Sequence, residues 1–293
     1  MFGTALALIK TMRPKHWVKN LVVFAALLFS KSFLDLTKDL NSLIIFLLFC
    51  LLAGSVYIVN DIVDIEADKL HPLKSRRPIA SGKLGTWTAG ISAGFFSLIS
   101  ISAGFYIHLH LGLVLLVYLA SNFLYTFWLK EVVILDVLVI SFGFVLRAIA
   151  GAIAIGVRIS PWLIITTTFL ALFLALNKRK AEIKEGGGGA GETRESLEIY
   201  TASYIDQLVV VATTSVIVSY SMYSFFSIHS DQMLWTTVFV IYGVFRYMFL
   251  VETKEEGGQL SDVLLEDIPL IVNILLWLGA VAGILVYFSQ GYY

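Results

Sequence analysis

The sequence predicts an all-α, polytopic membrane protein with nine transmembrane helices. The 293-residue chain has 58% hydrophobic and 14% charged residues and a mean hydropathy of +0.84, which is too apolar for a soluble domain of this size. Nine apolar stretches are each about as long as a helix that crosses a bilayer. They cover residues 18–36, 42–62, 86–107, 109–130, 132–156, 161–178, 204–228, 232–251 and 268–289.

We expect the start of the chain to lie at the membrane surface. Residues 1–16 form an interfacial segment in this interpretation, with a short helix over 2–12 before Arg13 and Pro14. The first apolar stretch contains Lys19 and Lys31 and lacks a persuasive signal-peptide cleavage site. We therefore predict that it is retained as a span, and that residues 1–293 form one integral membrane domain.

The distribution of basic residues predicts the orientation. With a cytoplasmic N-terminus, the inner segments hold sixteen lysines and arginines, whereas the outer loops hold only Lys31, Lys38 and Arg158. The loops at 63–85, 179–203 and 252–267 are then cytoplasmic, long and charged. We predict a multi-pass protein of the cell (plasma) membrane with its N-terminus inside and its C-terminus outside. The basic face suits membrane and phosphate ligands, and no nucleic-acid partner is expected.

Three aspartates follow the second apolar stretch, in the segment NDIVDIEADKLHPLKSRRPIASGKL at 60–84. Asp61, Asp64 and Asp68 have the spacing i, i+3, i+7, which places them on one face of a helix. Close carboxylates repel one another unless a cation lies between them, and Mg²⁺ commonly joins a few carboxylates to substrate phosphates. The basic residues that follow, Lys74, Arg76, Arg77 and Lys83, suit a polyanionic diphosphate. A solvated acidic helix end is the alternative.

A second charged cluster, NKRKAEIKE at 177–185, ends the sixth apolar stretch. Lys178, Arg179 and Glu182 are three or four residues apart, so a basic pair and a carboxylate can project together, and both clusters could face one cavity. The alternative is an ordinary basic flank on the cytoplasmic side of a span. The glycine run at 186–191 that follows favours a flexible linker, because it lacks the lysine and hydroxyl residue that end a P-loop.

Two arginines lie inside apolar stretches. Arg147 is deep within its stretch, where a charge should face protein or a wet cavity, so it is a candidate functional residue. Arg246 lies nearer an end and could reach the interface. The single cysteine, Cys50, excludes an intramolecular disulfide.

Several separated motifs resemble the UbiA superfamily of intramembrane prenyltransferases. They are RPKHWVKN at 13–20, NDIVDIEADKLHPLKSRRPIASG at 60–82, LDVLVISFGFVLRAIAGA at 135–152, NKRKAE at 177–182 and LLEDIPL at 264–270. Together they are most similar to superfamily members that use phosphoribosyl pyrophosphate. Aromatic prenyltransferases of the superfamily carry a second aspartate-rich motif after the sixth helix, where this chain has NKRKAE. That departure favours a donor with an additional phosphate.

The resemblance implies a UbiA-like bundle with a cytoplasm-facing active-site cavity. It also implies Mg²⁺-dependent transfer of a 5-phosphoribosyl group from phosphoribosyl pyrophosphate to a polyprenyl phosphate lipid, for cell-envelope precursor synthesis. Asp61, Asp64 and Asp68 are then the catalytic, metal-binding residues. The expected substrate-binding residues are Asn60, Lys19, Asn20, Lys74 and Arg77 for phosphate, Lys178, Arg179 and Glu182 for the phosphoribosyl end, and Arg147 for the lipid phosphate.

Three alternatives remain at this point. An aromatic prenyltransferase would move a prenyl group from prenyl diphosphate to an aromatic acceptor, and it is favoured if the chain hydrolyses prenyl diphosphate but ignores phosphoribosyl pyrophosphate. A transporter would catalyse uptake without product, but its ion sites usually lie at broken helices near the midplane, whereas these acids lie at a helix end. A structural scaffold has no use for the three aspartates. An oligomer is possible, and the sequence does not define it.

Overall fold

The computed structural model describes residues 2–184, 199–227, 230–253, 263 and 266–287. Over these ranges the chain is helical, and they contain no β-strand, so the predicted all-α class is confirmed. The α-helices are α1 (Phe2–Thr11), α2 (Ala25–Phe29), α3 (Leu36–Val63), α4 (Ile65–Leu70), α5 (Thr86–Ile107), α6 (Leu109–Phe127), α7 (Leu135–Ala154), α8 (Pro161–Lys184), α9 (Ala202–Phe225), α10 (Ser230–Trp235), α11 (Thr237–Thr253) and α12 (Ile268–Tyr287).

Eight helical stretches in the described part of the chain are long and apolar enough to cross a membrane. They correspond to the second to ninth predicted spans, and α5 begins and ends at the predicted residues 86 and 107. Polar side chains fix two of the helix starts. Asp35 accepts a hydrogen bond from the Thr37 amide at 3.0 Å before α3, and Thr201 accepts one from the Tyr204 amide at 3.2 Å before α9.

The first predicted span, 18–36, is not one long α-helix. It is built from a 3-10 segment (Pro14–Phe24), α2 and a 3-10 turn (Ser32–Leu34). The 3-10 segment packs on α7 so closely that a Cβ added to Gly151 would lie 2.0 Å from the Val23 carbonyl oxygen. The narrow 3-10 winding and the missing side chain of Gly151 allow this approach. Apolar composition alone gives no sign of it, and the predicted count of nine long helices becomes eight in the described residues.

The interior is divided between two large apolar clusters that meet at α7. Leu146 and Ala150 of α7 pack with α3, α6 and the 3-10 segment. Val137, near the start of the same helix, packs with α8, α9, α11 and α12. Outward-facing apolar residues such as Trp87 and Tyr106 on α5 are 81% and 91% exposed, as expected for a surface in contact with lipid. Because α7 borders both clusters, its polar residues lie between the two halves of the bundle.

The segments predicted to be cytoplasmic loops are partly helical in the structure. The 63–85 connection contains α4 and a 3-10 turn (Lys74–Arg76), and α8 continues to Lys184. The glycine run at 186–191 and most of the 252–267 connection lie outside the described residues. The expected short N-terminal helix is present as α1, whose Ala7 is buried in a cluster with Ile58 of α3 and Ala89 of α5.

Candidate active site

Asp61 and Asp68 form the centre of a charged cluster at the end of α3. Their side chains are 2% and 0% exposed. Arg77 Nη1 lies 3.3 Å from Asp61 Oδ1 and 2.6 Å from Asp68 Oδ2, and Arg13 Nη2 lies 2.5 Å from Asp61 Oδ1. Since both carboxylates contact the same nitrogen atom, they lie side by side. Each buried negative charge is therefore paired with arginine, as burial of a charge requires.

Asp64 interrupts the predicted single face of three aspartates. It lies at the break between α3 and α4, so the helical spacing on which that prediction depends does not continue from Asp61 to Asp68. Its Oδ1 accepts a hydrogen bond from Lys130 Nζ at 3.1 Å, and its side chain is 34% exposed. Asp64 thus contacts the connection between α6 and α7, whereas the other two aspartates share Arg77.

Asn60 and Lys74 flank the aspartates. Asn60 accepts a hydrogen bond from the Thr126 hydroxyl of α6, which connects the end of α3 to the end of α6. Lys74 begins the 3-10 turn after α4, and its amide donates to His71 Nδ1 at 3.3 Å. Both predicted residues therefore lie beside the cluster.

Arg147 is buried, at 7% exposure, and has no carboxylate partner among the described residues. Its guanidinium donates to Asn20 Oδ1 at 2.7 Å, to the Gly143 carbonyl at 2.8 Å and to the Tyr118 hydroxyl at 2.8 Å. It also lies 4.7 Å from the centroid of the Tyr118 ring. Neutral acceptors and aromatic faces orient the cation but leave its positive charge uncompensated. Arg147 is therefore suited to an anionic ligand.

Lys19 adds a second cation to this region. It lies in the 3-10 segment (Pro14–Phe24), and its charge interacts with the charges of Arg147 and Arg13. Like Arg147, it has no carboxylate partner within the described ranges. The structure thus brings the predicted residues Lys19, Asn20 and Arg147 together, although 127 residues separate Asn20 from Arg147.

His16 lies among these cations. Its Nδ1 atom is buried and has no hydrogen-bond partner in the structure. Burial lowers the pKa of His16 to about 3, and nearby positive charges add to the effect; they belong to Lys19, Arg13, Lys178 and Lys15. The imidazole is therefore neutral at pH 7. The influence of Lys178 also shows that the end of α8 lies near the 3-10 segment.

Arg179 is held by acids, in contrast to Arg147. At 1% exposure, its Nε lies 2.8 Å from Asp136 Oδ2, its Nη1 contacts Glu182, and its Nη2 lies 3.1 Å from the Tyr125 hydroxyl. Asp136 also accepts from the Tyr200 hydroxyl at 2.9 Å. Three of the five guanidinium N–H groups are used in this way. Lys178, 42% exposed, lies 3.5 Å from the same Glu182.

The two charged clusters meet at the end of α6. Tyr125 contacts Arg179, and the next residue, Thr126, contacts Asn60. Consecutive residues thus bring both clusters to the end of α6, and it stays a prediction that the two clusters face one cavity.

Arg246 has a structural partner. It forms two contacts with Asp267, at 3.2 and 2.8 Å, and Asp267 Oδ1 also accepts from the Leu270 amide at 2.9 Å at the start of α12. Arg246 therefore has an ion-pair partner in Asp267, and Asp267 of the LLEDIPL motif also caps the start of α12.

The aspartate cluster has the chemistry of a Mg²⁺ site, although the described residues contain no group of three or more His, Cys, Asp or Glu side chains arranged around one point. Mg²⁺ usually uses one or two carboxylates and completes its coordination with water and substrate phosphates. Adjacent Asp61 and Asp68 meet that requirement. Arg13 and Arg77 now neutralise them, so a metal ion would replace one of these ion pairs.

Several residues at the site were not singled out from the sequence. They are Arg13, His16, Tyr57, Tyr118, Tyr125, Thr126, Lys130, Asp136 and Tyr200. Tyr57 had a usable signal, because it precedes Asp61 by four residues and so lies on the same face of α3. Asp136 lies 43 residues before Arg179, and no local pattern connects them.

A helical bundle of this kind, with paired aspartates and uncompensated cations between membrane-length helices, defines a multi-pass membrane protein with a charged site between its helices. The chain belongs to the UbiA prenyltransferase family, whose family model matches residues 21–259. It is a transferase of that family.

Named relatives cover almost the whole chain. The decaprenyl-phosphate phosphoribosyltransferase of Mycolicibacterium smegmatis is 33% identical over 96% of this chain and 93% of its own length. The decaprenyl-phosphate phosphoribosyltransferase of Corynebacterium glutamicum is 36% identical over 92% of this chain and 84% of its own. Among solved structures, a UbiA homolog from Archaeoglobus fulgidus bound to GPP and Mg²⁺ has a TM-score of 0.72, covering 95% of this chain and 99% of that one. At 16% identity, that likeness concerns the fold alone.

Proposed function

We propose that this protein transfers a 5-phosphoribosyl group from phosphoribosyl pyrophosphate to the phosphate of a polyprenyl phosphate such as decaprenyl phosphate. A lipid phosphate oxygen attacks C1 of the ribose, the bond between C1 and the diphosphate oxygen breaks, and diphosphate leaves with the electron pair. The observation that carries the proposal is the pair Lys19 and Arg147, two neighbouring cations without carboxylate partners in the described chain. The relatives named above act in the same chemical class.

The chemistry needs alignment and charge stabilisation more than proton transfer. The attacking phosphate is already an anion, so it requires no strong general base. The cavity must hold the lipid phosphate in line with C1 and stabilise negative charge on the leaving diphosphate. Fixed arginines and lysines in a partly buried site act strongly because they need little reorganisation during the reaction.

The aspartate end would bind the diphosphate. Asp61, Asp64 and Asp68, assisted by Asn60, would hold Mg²⁺, which neutralises charge on the leaving group when it is bound. Arg77 contacts Asp61 and Asp68, and Lys74 begins the 3-10 turn just before it; both would grip the diphosphate oxygens.

The other charged groups would bind the rest of the donor and the lipid. Lys178, Arg179 and Glu182 would contact the phosphoribosyl end, with Glu182 on ribose hydroxyls. Lys19, Asn20 and Arg147 would hold phosphate oxygens, with Arg147 on the lipid phosphate. The Asn20–Arg147 contact of 2.7 Å supports a shared role for these two residues.

We further propose a single membrane domain over 1–293 with a cytoplasmic N-terminus and active site. The excess of basic residues on the predicted inner segments supports this orientation. The lipid phosphate must reach the cavity while its tail remains in the bilayer, so the cavity should open sideways to lipid and also to the cytoplasm.

The test is a transfer assay with purified protein, Mg²⁺, ribose-labelled phosphoribosyl pyrophosphate and a panel of polyprenyl phosphates. Label should enter the organic-solvent extract only when all components are present. A parallel reaction with prenyl diphosphate and an aromatic acceptor tests the other activity of the superfamily. Transfer in that reaction alone would replace the proposal.

A further inference from the structure

Tyr57 is a polar residue in contact with Arg13 and His16 that the proposed function leaves unused. It lies on α3 four residues before Asp61, which is about 6 Å along the helix on the same face. Its hydroxyl makes no hydrogen bond with any described residue, and the two arginines near it are Arg147 and Arg13. The Arg13 guanidinium carbon lies 5.0 Å from the centroid of its ring. Tyr57 thus lies between the aspartate end and the buried cation.

His16 lies against the ring of Tyr57. The two ring centroids are 5.4 Å apart in an edge-on arrangement, and His16 Nδ1 is the buried atom without a partner. An unpaired buried nitrogen costs free energy unless a ligand completes its hydrogen bond. Two neighbouring polar groups without protein partners, placed between two arginines, indicate a ligand rich in oxygen atoms.

We propose that the Tyr57 hydroxyl and the His16 imidazole bind oxygen atoms of the donor's phosphoribosyl group. This inference rests on the proposed function, in which the diphosphate lies at Asp61. The ribose is bonded directly to that diphosphate, so it comes next along α3, at the level of Tyr57. The pair would distinguish a phosphoribosyl donor from a donor that has only a hydrocarbon chain at this position.

The test compares one ligand that lacks the sugar with two ligands that contain it. Calorimetric titration of the purified full chain with Mg²⁺ and inorganic diphosphate reports the aspartate end. Titration with ribose 5-phosphate, and with phosphoribosyl pyrophosphate, reports the sugar subsite. Tyr57→Phe should weaken binding of both sugar ligands about tenfold, corresponding to one hydrogen bond to a charged ligand. Binding of Mg²⁺-diphosphate and the melting temperature should remain unchanged.

The His16 variants separate hydrogen bonding from packing. His16→Phe keeps a ring against Tyr57 and removes both nitrogens, so it should weaken ribose 5-phosphate binding. His16→Asn keeps a polar group near the position of Nδ1 and should restore most of that binding. Tyr106→Phe is the matched control for Tyr57→Phe, because Tyr106 is 91% exposed on α5, and it should bind every ligand as the wild type does.

Two results would overturn the inference: equal weakening of sugar and diphosphate ligands by Tyr57→Phe, or no weakening of either. Failure of the proposed function has a different signature. A wild-type protein that binds phosphoribosyl pyrophosphate but labels no polyprenyl phosphate refutes the transfer reaction, while the Tyr57→Phe titration still decides the sugar subsite. If the wild type binds neither phosphoribosyl pyrophosphate nor ribose 5-phosphate, both proposals fail.

Discussion

Tyr125 and Thr126, consecutive residues of α6, contact the two charged clusters of the candidate site. The Tyr125 hydroxyl lies 3.1 Å from Arg179 Nη2, and the Thr126 hydroxyl donates to Asn60. Arg179 and Asn60 are far apart in sequence, yet one turn of α6 joins them. A change at the end of α6 should therefore alter both parts of the proposed donor site, the aspartates that bind diphosphate and the Arg179 cluster that binds the phosphoribosyl end.

Removing charge from the buried aspartates should abolish transfer. Asp61→Asn and Asp68→Asn keep the side-chain shape but remove a negative charge from the proposed Mg²⁺ site, so each should lower kcat about a hundredfold or more. Initial rates across a Mg²⁺ titration measure the effect. Asp206→Asn is the control, since Asp206 is 53% exposed and pairs with Lys180. Near-normal rates in both aspartate variants would remove the metal assignment.

Lys178 and Arg179 should differ when each is replaced by alanine. Lys178→Ala loses one exposed charge, so donor affinity should fall roughly tenfold to a hundredfold without loss of stability. Arg179→Ala leaves Asp136 buried without its cation, and the free energy of unfolding should fall by about 3–5 kcal/mol.

Donor titration and thermal unfolding measure the two effects separately. Lys38→Ala provides a single-charge control on the predicted outer side. If Lys178→Ala binds phosphoribosyl pyrophosphate as tightly as the wild type, Lys178 has no role in donor binding.

Gly151 should control the position of the 3-10 segment that carries Lys19 and Asn20. In Gly151→Ala the added methyl group would meet the Val23 carbonyl, so the segment must move and the Asn20–Arg147 contact should weaken. We expect a loss of lipid-phosphate affinity together with a lower melting temperature. Gly279→Ala is matched, because a Cβ at Gly279 meets no atom within 4 Å. Equal behaviour of the two variants would show that the close approach is unimportant.

Cysteine labelling tests the orientation. In a Cys50→Ala background, single cysteines at Ser81 and Gly188 should react with a membrane-impermeant thiol reagent only after cells are permeabilised. A cysteine at Ser230 should react in intact cells. The reverse pattern would overturn the orientation and the route by which the donor enters.

The helices were largely predictable because a bilayer requires long apolar stretches, and eight such stretches form long helices. The structure of the first apolar stretch, 18–36, was not predictable. Part of it winds as a 3-10 segment because Gly151 on α7 permits close packing. At the site, the sequence identified Asp61 and Asp68 but not their partners. Both partners of Asp61 are distant in sequence: Arg77 lies 16 residues after it and Arg13 lies 48 residues before it.

The two deep arginines illustrate the limit of sequence reasoning most clearly. Sequence assigned functional roles to both Arg147 and Arg179, and it could not tell which charge is compensated. Only the fold brings Asp136 to Arg179, and only the fold leaves Arg147 with neutral partners.

The most direct test of the proposed reaction uses two preparations of the donor that are labelled at different positions. Phosphoribosyl pyrophosphate labelled in its 5-phosphate, and separately in its diphosphate, is incubated with purified protein, Mg²⁺ and decaprenyl phosphate, and the products are partitioned between organic solvent and water. We expect the 5-phosphate label to enter the lipid and the diphosphate label to stay in water as inorganic diphosphate. Diphosphate label in the lipid, or no lipid label from either donor, would contradict it.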